Sequence, residues 1–281
     1  MTEPLRLQIR HHTGFVYEGL AKSSYNEARM TPRTLPTQTV EQTKLTIRPA
    51  VPLFTYTDYF GTHVTAFDIA EVHSRLEVES VSTITSWAAP VEVAMPWHDL
   101  GRIEFVDRMS EYLMPTRRSI VPPEVLADVS LWRRAGDIHE AVAAVSDFVR
   151  SRVQYVPGAT SVTSTAAEAW ERGKGVCQDI THITLGILRE MGIPARYVSG
   201  YLYPKVDPLI GETIQGQSHA WVEYYAGAWT GIDPTNGVRH TARHIIVGRG
   251  RDYGDVSPLK GIYHGPKSTG AGVVVEITRL A

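Results

Sequence analysis

The chain has 281 residues, 43% of them hydrophobic, which is enough to bury one large core or two smaller ones, and two domains are favoured. Its 28 basic and 30 acidic residues are interspersed to a net charge of −2, so no basic footprint points to nucleic acid or a membrane surface as a partner. No apolar run approaches the roughly 20 residues that span a bilayer, and Met1 to Gln8 carries no charged-then-apolar leader pattern. A single cysteine, Cys177, excludes an internal disulfide and makes the reducing cytoplasm the expected location.

Residues 1–86 read as β structure. Leu5, Leu7 and Ile9 alternate with polar residues, as do Leu45 and Ile47, Val64 and Ala66, and Leu76 and Val78. Turn signals at Pro32-Arg33, Pro49-Ala50 and Gly61 separate these short strands, and an antiparallel β-sandwich is expected. The histidines of this region, His11, His12, His63 and His73, match no metal-ligand spacing, so no metal and no cofactor is expected. A Pro- and Trp-rich passage over residues 87–100 reads as the junction to a second domain over 101–281.

Helical texture follows. Ile103, Val106, Met109 and Leu113 recur at helical spacing, and Pro115, Pro122 and Pro123 punctuate the chain after them. Asp137 with Glu140 predicts a capping box opening a helix whose buried stripe is Ile138, Val142, Val145, Val149 and Val153. Thr165 with Glu168 repeats the signal for a short helix over 166–172. Lys174-Gly175 then breaks the helical run. Ile180, Ile183, Ile187 and Met191 mark a further helix, which ends at Gly192 and Pro194. Strands are predicted over 196–203, around His219, around Asp233 and over 273–277, with a flexible loop over 207–216.

Cys177 falls in the first turn of its helix. There the unpaired N–H groups and the positive end of the helix dipole favour a thiolate and can hold an oxyanion. A free thiol of pKa about 8.5 is only slightly ionised at neutral pH, so a nucleophile needs this help and a base. Read alone, Cys177 is a small buried apolar residue like most free cysteines. Its company changes that reading. His219 lies on a strand of large apolar neighbours, Ser218-His219-Ala220-Trp221-Val222-Glu223, and Asp233 follows in Gly231-Ile232-Asp233-Pro234-Thr235-Asn236. The order Cys, His, Asp, with a helix before a sheet, is that of papain-like folds, in which the imidazole moves the proton and the carboxylate fixes its tautomer. From chemistry alone Asp233 is equally a turn residue before proline, and Trp221 is equally a core residue or the wall of a substrate cleft.

The segments Pro157-Gly158-Ala159-Thr160-Ser161, Gly175-Val176-Cys177-Gln178-Asp179, Ser199-Gly200-Tyr201, Ser218 to Glu223, Asp233-Pro234-Thr235-Asn236 and Arg251-Asp252-Tyr253 together resemble the bacterial transglutaminase-like superfamily. The resemblance covers essentially the whole chain and extends, more weakly, to an amino-terminal β region. It implies an α+β fold with a papain-like, transglutaminase-like cysteine catalytic core preceded by a β-sandwich-like domain. It also implies a Cys177, His219, Asp233 triad, with Tyr253 and Asp255 lining the site. The expected chemistry is thiol-dependent acyl transfer on amide or isopeptide bonds of peptides or proteins. Hydrolysis is favoured, amine transfer to glutamine side chains is the alternative, and a catalytically silent binding module is the reading from another class. No dense acidic loop or EF-hand pattern suggests a calcium switch. Among substitutions, Asp233→Asn is expected to be milder than His219→Ala or Cys177→Ala, and to be folded within about 1 kcal/mol of wild type.

Overall fold

The computed structural model describes residues 3–281 except 135, 208 and 217. The chain opens with six strands, β1 (Leu5–Ala21), β2 (Ser23–Ala28), β3 (Gln38–Arg48), β4 (Phe54–Thr57), β5 (His63–Ile69) and β6 (His73–Ser86). Helices and short strands follow: α1 (Ile103–Leu113), α2 (Val129–Trp132), α3 (Ile138–Arg152), β7 (Gln154–Tyr155), α4 (Ala166–Arg172), β8 (Lys174–Gly175) and α5 (Cys177–Glu190). The remainder is β9 (Ala195–Leu202), β10 (Thr213–Gly216), β11 (Ser218–Tyr225), β12 (Trp229–Asp233), β13 (Val238–Arg239), β14 (His244–Gly250), α6 (Tyr253–Val256), β15 (Leu259–His264) and β16 (Ser268–Arg279). The fold is α+β, as the residue pattern predicts.

Three antiparallel sheets carry the architecture, with strand orders β10-β16-β1-β6-β3, β15-β2-β5-β4 and β13-β12-β11-β9-β14. In β1 the odd positions Leu7, Ile9, His11 and Thr13 are buried and Arg6, Gln8 and Arg10 are exposed, so only one face of the first sheet is covered. Two different sheets cover it. Tyr17, Leu76 and Val78 pack with Met30, Phe67 and Ile69 of the β2–β5 region, whereas Leu7, Ile9 and Ile84 pack with Tyr201, Ile245 and Val247 of β9 and β14. The buried face of the amino-terminal sheet is therefore shared between these two sheets. The carboxy-terminal strands also cross the boundary placed at residues 87–100: β16 pairs with β1 from Leu7–Arg279 to Tyr17–Ser268, and β15 pairs with β2. The strand itself can be read locally, but a pairing between strands more than two hundred residues apart leaves no local sequence signal.

The helices cover the other face of the β9–β14 sheet. Val142, Val145 and Val149 of α3 and Ile180, Ile183 and Ile187 of α5 meet Tyr197, Val222 and Tyr224 at 0–2% exposure, each side chain contributing about 1.5–3 kcal/mol of burial. Both predicted capping boxes form, at Asp137–Glu140 and Thr165–Glu168. The segment 207–216, expected as a flexible loop, contains β10, which joins the edge of the first sheet in register with residues 275–278.

Candidate active site

The start of α5 is set by local chemistry. Gly173 takes the left-handed conformation (φ 61°) that ends α4. Val176 is extended, and the carboxylate of Asp179 reaches back to accept its N–H at 2.8 Å while also accepting from Thr160 Oγ1 at 2.5 Å. Gly175 has to be glycine, because a Cβ there would stand 2.8 Å from the Asp179 Cβ. Asp179 N and Ile180 N make the first helical bonds, both to Val176 O. The amides of Cys177 and Gln178 precede them and stay free to face a ligand. Cys177 itself is half-buried at this helix start. Residues Gln178 to Arg189 are buried on every side, so α5 runs through the middle of the layer, and its isoleucine stripe under-reports that burial.

His219 stands at the start of β11, paired opposite Gly200 of β9. Its Nε2 lies 2.7 Å from Asp233 Oδ2, and the Cys177 side chain acts on the same ring. With Nε2 given to the carboxylate, Nδ1 is the nitrogen left for the sulfur. Burial pulls the His219 pKa down, but hydrogen bonds to Asp233 and Cys177 and their charges outweigh it and raise it to about 10. Asp233 ends β12 and is completely buried. Burial pushes its carboxyl up, and donors from His219, His244 and Asn236 hold it far below the usual carboxylate range. Its Oδ1 accepts the backbone N–H groups of Thr235 (3.0 Å) and Asn236 (3.2 Å), and Asn236 Nδ2 donates to Oδ2 at 2.7 Å. The Asp-Pro sequence is thus a turn and a carboxylate anchor at once.

An open cleft of about 540 Å³ runs past His219, lined by Tyr155, Leu202, Pro204, Gln215, Gly216, Ser218, Thr235 and Asn236. Trp221, expected as a cleft wall or a core residue, has no exposed surface and packs with Val198 and Ile246. Its indole is near-parallel to the His219 ring (27°, centroids 6.0 Å), so it backs the imidazole and does not meet solvent. Tyr253 is not among the cleft-lining residues. It opens α6, where its N–H donates to the fully buried His182 Nε2 at 3.2 Å. Asp255 is paired with Arg251 at 3.0 Å. Buried Arg189 donates to Arg251 O at 2.6 Å, so the Arg251-Asp252-Tyr253 segment is a scaffold beside the site.

Three contributors escaped the sequence reading. Tyr155 enters the cleft from β7, beside the sulfur; burial and then the Cys177 charge raise its phenol pKa. His244 contacts Asp233 from β14. Glu223, two residues beyond Trp221, is buried between Arg196 and Arg249 at 2.7 Å each. Burial raises the Glu223 pKa, and the two guanidiniums hold it at about 2. Among the described residues no cluster of three His, Cys, Asp or Glu side chains is placed to hold a metal ion, and no helix is long and apolar enough to cross a membrane.

Residues 7–85 match the bacterial transglutaminase-like N-terminal region, and residues 129–234 match the transglutaminase-like superfamily. An uncharacterized protein of Mycobacterium leprae is 46% identical over 280 residues, covering 98% of this chain and 99% of its own length. Another from Mycobacterium tuberculosis is 31% identical over 293 residues, covering 92% of this chain and 88% of its own. A protein-glutamine gamma-glutamyltransferase of Pseudomonas aeruginosa is 32% identical over 83 residues, 28% of this chain and 12% of that protein. The crystal structure of a candidate cysteine protease from Cytophaga hutchinsonii aligns with a TM-score of 0.76 at 18% identity, covering 100% of this chain and 92% of that one. At that identity the likeness speaks for the fold alone.

Proposed function

The chain belongs to the transglutaminase-like superfamily, and from that premise we propose that it is a thiol-dependent acyl-transfer enzyme acting on amide or isopeptide bonds of peptides or proteins. In this reading Cys177 is the nucleophile, His219 the general base and acid, and Asp233 the residue that fixes the imidazole. The observation that carries it is the single imidazole bridging the buried Asp233 carboxylate and the cysteine at the free end of α5.

The thiolate attacks the amide carbonyl carbon, and the developing oxyanion meets the free amides of Cys177 and Gln178. The proton on His219 Nδ1 passes to the leaving amine as the carbon–nitrogen bond breaks, leaving a thioester. His219 then takes a proton from water, hydroxide oxygen attacks the thioester carbonyl, and the thiolate departs as the free acid forms. Asp233 stays ionised throughout, accepting the Nε2 proton's hydrogen bond.

Water is favoured as the resolving nucleophile. The cleft is open to solvent, and none of its lining residues is a carboxylate that would select a cationic amine. Transfer to a primary amine is the alternative. A cytoplasmic setting is proposed on the single free thiol alone. The test is product analysis by mass spectrometry of a turned-over amide, with and without an added primary amine. The acid as sole product supports hydrolysis. A dominant amine adduct assigns the chain to amine transfer, and no turnover of any amide or thioester would sink the enzyme reading.

A further inference from the structure

The triad carboxylate has a second imidazole on it. His244, at the first position of β14, places Nε2 3.3 Å from Asp233 Oδ2, the oxygen that also receives His219 Nε2 at 2.7 Å. Its other nitrogen, Nδ1, lies 3.2 Å from the backbone N–H of Thr241 and 3.1 Å from the Thr241 hydroxyl. A backbone N–H can only donate, so Nδ1 must present its lone pair and the proton of the neutral ring must sit on Nε2. That proton points at Asp233. His244 N also donates to Thr241 O at 3.0 Å, which closes a tight loop around the ring and fixes its orientation.

We propose that His244 is a positioning residue for acyl transfer: an imidazole, locked by Thr241 as the Nε2–H tautomer, that clamps Asp233 Oδ2 in line with His219. The inference rests on the triad reading given above. His244 does not touch substrate and does not carry the proton. It acts through Asp233, whose Oδ2 is then held by three side-chain donors, from His219, His244 and Asn236. The charged and titratable groups facing it are Asp233 on β12, His219 on β11, Arg243 beside it and the buried His240, whose ring centroid lies 5.4 Å away. Trp221 closes the remaining side edge-on, at 5.3 Å and 69°. Burial disfavours a charge on the His244 ring, as do His219 and Arg243, and Asp233 opposes them; the net direction is downward, consistent with a neutral donor. The division of labour is chemically sensible. Two imidazoles share one carboxylate, but of the two only His219 also interacts with Cys177.

The test combines a spectroscopic readout with the pH profile of Cys177 alkylation by iodoacetamide. In the wild-type protein the ¹⁵N resonances of His244 are expected to show a bare Nδ1 and a protonated Nε2 from neutral to mildly acidic pH. The opposite tautomer, or a doubly protonated ring at neutral pH, overturns the proposal. His244→Leu removes the donor and is expected to slow alkylation about tenfold and to move its acidic limb to higher pH, the scale usual for losing an orienting partner. His244→Gln, which keeps an N–H at the Nε2 position, is expected to recover the rate to within about threefold and restore the limb. An unchanged limb in His244→Leu, or no recovery in a folded His244→Gln, overturns it. If wild-type alkylation is insensitive to His219→Ala, the triad reading itself fails, while the tautomer measurement still decides whether Thr241 locks His244 as proposed.

Discussion

Asp233 is surrounded entirely by donors. Oδ2 receives two imidazole N–H groups and the Asn236 amide, and Oδ1 receives two backbone N–H groups. The expectation that Asp233→Asn is folded within about 1 kcal/mol of wild type therefore needs revision. An asparagine has one acceptor and one NH₂ group, so in one orientation its NH₂ faces the two backbone N–H groups of Thr235 and Asn236, and in the other it faces His244 Nε2–H and forces His219 to change tautomer and the Asn236 amide to flip. We predict that Asp233→Asn loses roughly 1–3 kcal/mol of stability through these unsatisfied donors. The same change is expected to lower kcat by up to about 10⁴-fold through loss of the correct His219 tautomer. Urea denaturation and steady-state kinetics measure both. A variant as stable as wild type would show that the pocket relaxes around the amide. Glu223 presents the converse case, one buried carboxylate between two partly buried guanidiniums. Glu223→Gln leaves both cations uncompensated and is expected to cost about 3–5 kcal/mol. A loss below about 1 kcal/mol by urea melt would mean that water reaches the pair.

At the scale of elements, what was legible was local. The capping boxes, the isoleucine stripe of α5 and the alternation of β1 are written in neighbouring residues, and Cys177, His219 and Asp233 stand out as chemical types on apolar segments. What was not legible depended on distant partners. β10 is a four-residue strand that, among the described residues, pairs with β16, about sixty residues downstream. His244 opens an ordinary strand of isoleucine and valine, and nothing in its neighbours announces Asp233 across the sheet. Trp221 was left between a core residue and a cleft wall, and it lies in the core. β11 alternates, and its register places Trp221 under the His219 ring instead of in the cleft. The Arg251-Asp252-Tyr253 segment was likewise visible as a motif, and its contacts to Arg189 and His182 tie it to α5.

Over the whole molecule, the amino-terminal sheet and the catalytic sheet share a core and are stitched by polar bonds. The Gln38 side chain both donates to Ile246 O and accepts from Ile246 N, at 2.8 Å each, and buried His11 bonds the Tyr201 hydroxyl at 2.8 Å. The amino-terminal strands therefore help hold β9 and β14, the frame of the site. Several histidines in this body are buried as neutral rings, with burial lowering His11 and His240 to about 4 and His182 to about 3. Each folded value lies below the unfolded value of about 6.5, so the unfolded chain binds more protons in that range. The resulting stability is fully present above about pH 6.5 and is lost progressively as the pH falls toward 4. Thermal melts should therefore show Tm dropping steadily across this window, before most carboxylates titrate. A flat Tm from neutral pH to about 4.5 would mean that these rings gain water or partners on protonation.

The central claim is that His219 activates Cys177. The direct measurement is the rate of iodoacetamide modification of the native protein at about pH 6, where an unassisted thiol is almost wholly protonated. Raised to about 10, the imidazolium of His219 persists well beyond this pH and can stabilise a thiolate. The account predicts fast modification at Cys177 in the wild type and a rate lower by at least about tenfold in His219→Ala. Equal, slow modification of both proteins would contradict it and leave a transglutaminase-like fold that binds without reacting.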